Sequence, residues 1–186
     1  RKGDELEYKA LRKAADEGDA KSQYDLGEAY FGNTSRAKPD KGLSEVESKA
    51  EAIRLFKQSA ENGFAKAQNE LGECYDRGDG LPKDQFEAAK WFRKAAEQGN
   101  PEAQKNLGHC YRNGKGVEKN NVEAAKWYRK AAEQGNDSAQ WFLGFHYLDG
   151  EGVSVDEVEA IKWFRKAAEL GNDYAQVTLG ECYTKG

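Results

Sequence analysis

The sequence predicts an all-α solenoid, about ten helices in 186 residues, built from antiparallel helix hairpins stacked one on the next. Three observations carry that reading. The segment Glu87 to Gly99, EAAKWFRKAAEQG, returns 36 residues later as Glu123 to Gly135 and again as Glu159 to Gly171. A second phrase keeps the same step: Ala67-Gln68, Leu71-Gly72 and Tyr75 recur as Ala103-Gln104, Leu107-Gly108 and Tyr111, as Ala139-Gln140, Leu143-Gly144 and Tyr147, and as Ala175-Gln176, Leu179-Gly180 and Tyr183. In both phrases the apolar residues fall three and four apart, which is helical spacing. A fixed period of about 20–50 residues marks a stacked array in which each unit buries its apolar face against its neighbours.

Taken in order, residues 1–19 form an outer half-repeat with a helix over about Leu6–Glu17, in which Leu11 to Gly18 loosely copies the first phrase. Residues 20–63 form the first inner–outer hairpin, with Leu26-Gly27 and Tyr30. From Leu26 to Leu71 is 45 residues instead of 36, so this hairpin carries nine extra residues between Phe31 and Ala50. Their glycines, Pro39 and alternating charges predict a solvated loop running into an extended outer helix near Ser44 to Ala60; it is either a tolerated surface insertion or a partner-specific contact. Regular hairpins follow at 64–99, 100–135 and 136–171, and an inner helix of a cut repeat, about Asp173–Thr184, closes the chain at 172–186. Each inner helix carries a stripe such as Ala103, Leu107, Cys110 and Tyr111. Each outer helix carries one such as Ala88, Trp91, Phe92, Ala95 and Ala96.

Gly99-Asn100, Gly135-Asn136 and Gly171-Asn172 supply the left-handed residue that ends one helix and lets the next begin. Gly-x-Gly pairs at 78–80, 114–116 and 150–152 punctuate the longer connection within each hairpin. Gly108 and its counterparts cost about 1 kcal/mol each against Ala in mid-helix. They are therefore expected where the helix comes close to its Ala-rich partner. Trp91, Trp127 and Trp163 are in register and are assigned to the stacking core.

Composition narrows the function classes. The chain is 33% charged with a net charge of −4 and a mean hydropathy of −0.99. Lys and Arg are dispersed among Glu, which leaves no basic stripe for nucleic acid. No stretch approaches the roughly 20 apolar residues that span a bilayer. The chain opens on Arg1 and stops in mid-repeat, so it reads as a fragment or processed form. Cys74, Cys110 and Cys182 hold one slot in three repeats; stacked helices lie about 8–10 Å apart and a disulfide needs Cα atoms within about 7 Å, so these read as small buried thiols. The equivalent slot in the fourth repeat is His146 alone, which gives no metal cluster. Unpaired thiols lean towards a cytoplasmic place, while a fragment leaves a secreted or periplasmic one open.

Gln104-x-x-Leu107-Gly108-x-x-Tyr111 followed by Ala124, Tyr128 and Ala131 resembles the tetratricopeptide pattern with Gln for its Trp. The 36-residue period, the Gly-x-Gly-Val loop and the ending Lys-Ala-Ala-Glu-x-Gly-Asn resemble the Sel-1-like repeat family more closely, over nearly the whole chain. That resemblance implies a right-handed superhelix whose Leu-Gly helices line a concave groove, and an adaptor or scaffold role that holds a peptide or partner protein.

Positions shared by every unit are explained by stacking, so partner information is expected where the units differ. Counting the Leu of Leu-Gly as position seven, positions two, five, nine and twelve should face the groove. They are Lys21, Tyr24, Glu28 and Phe31 in the first hairpin, Glu102, Lys105, His109 and Arg112 in the third, Ser138, Trp141, Phe145 and Leu148 in the fourth, and Tyr174, Val177, Glu181 and Thr184 in the terminal helix. Trp141 has no counterpart in another unit, and with Phe145 and Leu148 it forms an i, i+4, i+7 stripe on a face expected to be open to solvent. Trp141, Phe145 and Tyr174 are therefore the expected anchors for an apolar segment, with Lys105, His109 and Arg112 meeting its acidic flank. Tyr24 and Phe31 are the remaining aromatic candidates. The same aromatics could stack on sugar rings, which makes a carbohydrate or peptidoglycan-fragment binder the second reading. An architectural spacer within a larger protein is the third.

No catalytic residue, metal or cofactor is assigned. Within the resembling family, cysteine-rich members related to β-lactamases staple each hairpin with a cysteine pair eight residues apart. Here those positions are Ala96 with Gln104, Ala132 with Gln140 and Ala168 with Gln176. Ser35-Arg36-Ala37-Lys38 spells a serine–lysine signature, but within the insertion, and the companion Ser-Asp-Asn and Lys-Thr-Gly elements are missing. His109 reads as a groove-facing polar residue and His146 as a core-edge substitute for Cys. Glu97, Glu133 and Glu169 read as solvated helix-end carboxylates.

Overall fold

A computed structural model describes residues 2–32 and 42–185. Among them lie ten helices: α1 (Lys2–Asp16), α2 (Ala20–Phe31), α3 (Glu45–Glu61), α4 (Ala65–Arg77), α5 (Gln85–Glu97), α6 (Pro101–Asn113), α7 (Asn121–Glu133), α8 (Asp137–Asp149), α9 (Glu157–Glu169) and α10 (Asp173–Lys185). The chain divides into two compact units, residues 1–95 and 96–186. In residues 1–95, α1 packs on α2, α2 on α3 and α3 on α4, and in residues 96–186 the helices α6 to α10 each pack on the next, as expected for an all-α solenoid. Ser35 to Lys38 and most of the nine-residue insertion lie outside the described residues.

Helix ends follow from short polar side chains and glycine. The Asn100, Asn120 and Asn136 side chains accept the backbone N–H three residues on, and Ser44 with Glu47 closes a reciprocal capping box at the start of α3. Gly135 has φ 86° between α7 and α8, a conformation that costs other L-residues energy. Gly152 has φ 73°, and a Cβ there would sit 2.2 Å from the Asn121 carbonyl oxygen, so the loop passes too close for any side chain.

In residues 1–95 the core is Ala15, Leu26, Tyr30, Ala52, Leu55 and Phe56 in one cluster and Ala60, Ala67, Leu71 and Trp91 in the next. In residues 96–186 it is Ala124, Tyr128, Ala131, Ala132, Ala139, Leu143 and Trp163. Trp91 and Trp163 are buried as expected. Trp127 is only half-buried. All three indoles carry a lysine three residues on over the ring, at 4.0, 4.1 and 4.2 Å for Lys94, Lys130 and Lys166, so ammonium–ring attraction covers their outer face.

The mid-helix glycines mark the close approach to the partner helix that the sequence predicts, and one residue of that helix comes nearest. A Cβ on Gly27, Gly72, Gly108 or Gly144 would lie 2.6, 2.7, 2.7 or 2.4 Å from the ring of Phe56, Phe92, Tyr128 or Phe164. It is the aromatic of the partner helix, not its alanines, that needs the missing side chain. In α2, α4, α6 and α8 the Leu-Gly is the seat on which one ring of the following outer helix rests.

The recurring Gln also has a defined task. Gln23, Gln68, Gln104 and Gln140 donate from Nε2 to the carbonyls of Ala15, Ala60, Ala96 and Ala132 at 3.0–3.1 Å, and Gln176 does so to Ala168 at 3.4 Å. Each adds a second donor to a helix-end carbonyl that already accepts the backbone N–H of the glycine three residues on. These are the positions at which the cysteine-rich pattern places its staple, so a buried amide here ties outer helix to next inner helix.

Candidate functional site

Within residues 96–186 five of the candidate residues, Tyr174, Trp141, Phe145, His109 and Arg112, are joined through Phe142 into one contact chain along α6, α8 and α10. Tyr174 at the start of α10 lies 5.5 Å from Trp141, ring centroid to centroid. Trp141 meets Phe145 at 4.9 Å and Phe142 at 4.7 Å, both edge-on. Phe142 meets His109 edge-on at 4.4 Å and stacks on Tyr128 at 5.3 Å and 15°. The Arg112 guanidinium lies over Phe142 at 5.7 Å. Tyr174 is 70% exposed and Val177 64%.

The face is less open than the sequence implies. Trp141, Phe145 and Leu148 are half-buried, because α10 covers part of α8. The Trp141 indole N–H donates to Thr178 Oγ1 at 3.2 Å, and that hydroxyl donates to the Tyr174 carbonyl at 2.8 Å. Phe145 also leans inward, with its ring 5.0 Å from Phe164. The exposed part is the α10 side of the patch.

The polar flank is engaged. Lys105 pairs with Glu102 at 2.7 Å, and Glu102 in turn accepts from the Asn136 amide at 2.6 Å. Arg112 pairs with Glu151 at 3.5 Å. His109 is not a groove residue awaiting a ligand: a 3.0 Å hydrogen bond joins its Nδ1 to the Tyr128 hydroxyl. That hydroxyl belongs to a fully buried ring, and burial pushes its pKa upward.

His146 is a second correction. It sits inside the core at 1% exposure, not at its edge. Its Nδ1 bonds the Glu151 backbone carbonyl, an acceptor, so Nδ1 carries the proton. Nε2 then holds a buried lone pair with no hydrogen-bond partner among the described residues, 4.0 Å from the Glu151 carboxylate. Desolvation lowers the imidazole pKa, the Glu151 carbonyl and carboxylate opposing it.

Tyr24 and Phe31 lie in residues 1–95 and pack against their own core. Tyr24 is 5.8 Å from Phe56 and 5.3 Å from Phe64, and Phe31 is 5.8 Å from Phe56. In that unit, burial first and then Glu73 and Glu28 raise the Glu70 carboxyl to about 7.

Sequence reasoning missed Phe142. It stands at position six, occupied elsewhere by Asp25, Glu70, Asn106 and Thr178, and a count restricted to positions two, five, nine and twelve passes over it. The available signal was that Phe142 is the one apolar residue in that column. Position six points between inner helices, which is why Thr178 receives the indole proton and Phe142 links Trp141 to His109.

Among the described residues no three His, Cys, Asp or Glu side chains converge as metal ligands, and no helix is long and apolar enough to cross a membrane. Cys74 and Cys110 are buried and Cys182 half-buried, all as free thiols.

Hairpins of one pattern, each with a ring seated on a glycine and an amide tie, define an α-solenoid of Sel1-like repeats. The Sel1 repeat family model matches residues 20–64, 65–100, 101–136 and 137–172, and the chain belongs to that family. Its fold resembles c5321, a protective antigen of uropathogenic Escherichia coli strains displaying an SLR fold, with 40% identity and a TM-score of 0.85 over 96% of this chain and 36% of that one. It also resembles a Sel1 repeat protein from Oxalobacter formigenes, at 34% identity and a TM-score of 0.82 over 96% and 68% of the two chains. Helicobacter pylori cysteine rich protein B is similar at 26% identity and a TM-score of 0.59, over 74% and 99%. This chain spans about a third of the length of the Escherichia coli antigen. No curated protein matches it. Sel1-repeat proteins are generally protein-interaction scaffolds and typically non-catalytic.

Proposed function

We propose that this chain is a non-catalytic scaffold that holds an apolar segment of a peptide or partner protein on the aromatic patch of α8 and α10. The observation that carries the reading is the pair of exposed apolar residues, Tyr174 and Val177, beside Trp141 and Phe145, at positions where the second and third hairpins carry Lys66, Asn69, Glu102 and Lys105. Nothing in the stacking of α10 on α9 requires apolar residues there. Aromatic anchors contribute most where a partner completes their burial, and Trp141 is half-buried already, so a ligand has little area left to cover. Leu148 extends the patch along α8. Lys105 and Arg112, held by Glu102 and Glu151, give a polar rim with His109 behind it, and an acidic residue of the partner would exchange with those carboxylates.

The test uses peptides selected from a random library on the immobilised chain. Tyr174→Ser is the informative variant, because the exposed side chain contributes little to the fold. Affinity on the order of thirtyfold weaker with unchanged melting temperature supports the site. Selected peptides that ignore both Tyr174→Ser and Trp141→Ala refute it. Titrating peptidoglycan fragments in the same assay separates the glycan reading: saturable binding lost in Tyr174→Ser assigns the patch to sugars.

A further inference from the structure

One carboxylate oxygen, Glu151 Oε2, stands between two nitrogens: Arg112 Nε from α6 at 3.5 Å and His146 Nε2 from α8 at 4.0 Å. The imidazole is buried, while the Arg112 and Glu151 side chains are each about a third exposed. Nδ1 of His146 bonds the Glu151 backbone carbonyl, so Nε2 is the atom left to take a proton. Beside the carboxylate oxygen its lone pair is repelled; with a proton on it, the same approach becomes a charge-assisted hydrogen bond. The loop backbone is pinned, since Gly152 leaves no room for a Cβ against the Asn121 carbonyl, and the Glu151 side chain is the part able to turn. Within the chain the combination is unique to this hairpin. The His146 column holds Cys74, Cys110 and Cys182 in other repeats, and the Glu151 column holds Asp79 and Lys115. A thiol fills that core slot elsewhere, so packing alone gives no reason for an imidazole.

We propose that Glu151 is a proton-controlled latch on Arg112: with His146 neutral the carboxylate holds the guanidinium, and with His146 protonated it turns to Nε2–H and releases the guanidinium to the rim of the aromatic patch. Released, Arg112 keeps the face of Phe142, 5.7 Å away, and can meet a partner's carboxylate. That consequence rests on the scaffold reading above, whereas the latch itself needs no ligand. The charges set its direction. Desolvation disfavours the imidazolium, Glu151 and Asp149 favour it, and Arg112 opposes it. From α7 the Tyr128 ring lies 5.2 Å away, α6 adds Cys110 to the groups buried around the site, and the buried residues of α9 are uncharged. The net effect is a lowered pKa, so the proton is gained below about pH 6.5 and the latch opens in acid.

The test is an NMR titration of the intact chain from pH 8 to pH 5. The chain has two histidines, and long-range 15N–1H spectra give the tautomer and midpoint of each. His146 should be the Nδ1–H tautomer at pH 8, and the Arg112 Nε–H resonance should move with the His146 midpoint, not with that of His109. In His146→Cys, which keeps His109, the Arg112 resonance should lose that movement. Arg112→Gln should raise the His146 midpoint by about one pH unit, because Glu151 is left to the imidazolium alone, and Glu151→Gln should lower it. Should any variant lose its helix content by circular dichroism, the unsubstituted chain still decides. An Arg112 resonance that ignores the His146 midpoint, or a His146 carrying its proton on Nε2 at pH 8, overturns the latch. A library-selected peptide with an acidic residue should bind about threefold to tenfold tighter below the midpoint, and without that gain in His146→Cys. Binding indifferent to pH beside a latch seen by NMR overturns its link to the patch, so the two readings fail separately.

Discussion

The same substitution at two equivalent glycines should have opposite effects. In Gly144→Ala the new Cβ would lie 2.4, 2.6 and 2.9 Å from Phe164 Cε1, Cδ1 and Cζ, where carbon atoms rest at about 3.5–4.0 Å. The ring must retreat by about 1 Å, but Phe164 is fully buried and touches Phe145, so it has nowhere to go without displacing a neighbour. Overpacking of this kind costs about 1–3 kcal/mol, and Ala in mid-helix returns about 0.5–1 kcal/mol. The net loss is about 1–2 kcal/mol, or roughly 2–8 °C in melting temperature for a chain of this size. At Gly180 the Cβ meets nothing, so only the helix gain of about 0.5–1 kcal/mol survives, concentrated on α10 because repeats couple mainly to neighbours. Urea denaturation followed by far-UV circular dichroism measures both. If Gly144→Ala is as benign as Gly180→Ala, the ring-seat account of these glycines is wrong.

The amide ties are testable in the same way: Gln140→Ala removes the bond to the Ala132 carbonyl, which keeps the Gly135 N–H, for a loss of about 0.5–1.5 kcal/mol in the urea midpoint analysis. The three thiols should split into one fast and two slow. Cys182 should react with a chromogenic disulfide reagent well before Cys110 and Cys74, both buried, the Cys74 thiol being pushed up to about 12 by burial and by Glu70. Two groups give opposed pH dependences. His146 titrates lower folded than unfolded, so its contribution is complete above about pH 6.5 and is lost as pH falls through the window below. Glu70 titrates at about 7 folded against 4.5 unfolded; the folded chain holds the extra proton between those values, so its contribution is greatest in acid and declines as pH rises through 7. Urea midpoints across that range should flatten on the acid side in His146→Cys and on the neutral side in Glu70→Gln, each variant leaving the other's slope in place.

The ten helices and the repeat that orders them were legible in the sequence because stacking demands the same residues in every unit. Leu107, Ala124 and Tyr128 are buried for the reason that makes them recur. The partner of the Leu-Gly glycine was harder to see, since Ala and aromatic columns share the outer helix and periodicity alone does not say which column sits closest. Phe142 and His146 escaped for a related reason. Each is a departure from its column that the fold absorbed: Phe142 as a bridge between inner helices, His146 as a core residue whose backbone-bonded Nδ1 satisfies half of the ring. Glu102 stands three residues before Lys105 on one helix, a spacing the sequence does report, whereas Arg112 is engaged by Glu151 from a loop of the next hairpin, a pairing no spacing reports.

Four tryptophans allow the division between architecture and binding to be read in one spectrum. Three indoles, Trp91, Trp127 and Trp163, stand in the repeating column, and Trp141 alone stands in the patch, its N–H on Thr178 Oγ1. In a two-dimensional 15N–1H titration with a library-selected peptide, the Trp141 indole resonance should shift progressively while the other three stay in place. Movement of an in-register indole with Trp141 unmoved would contradict the account.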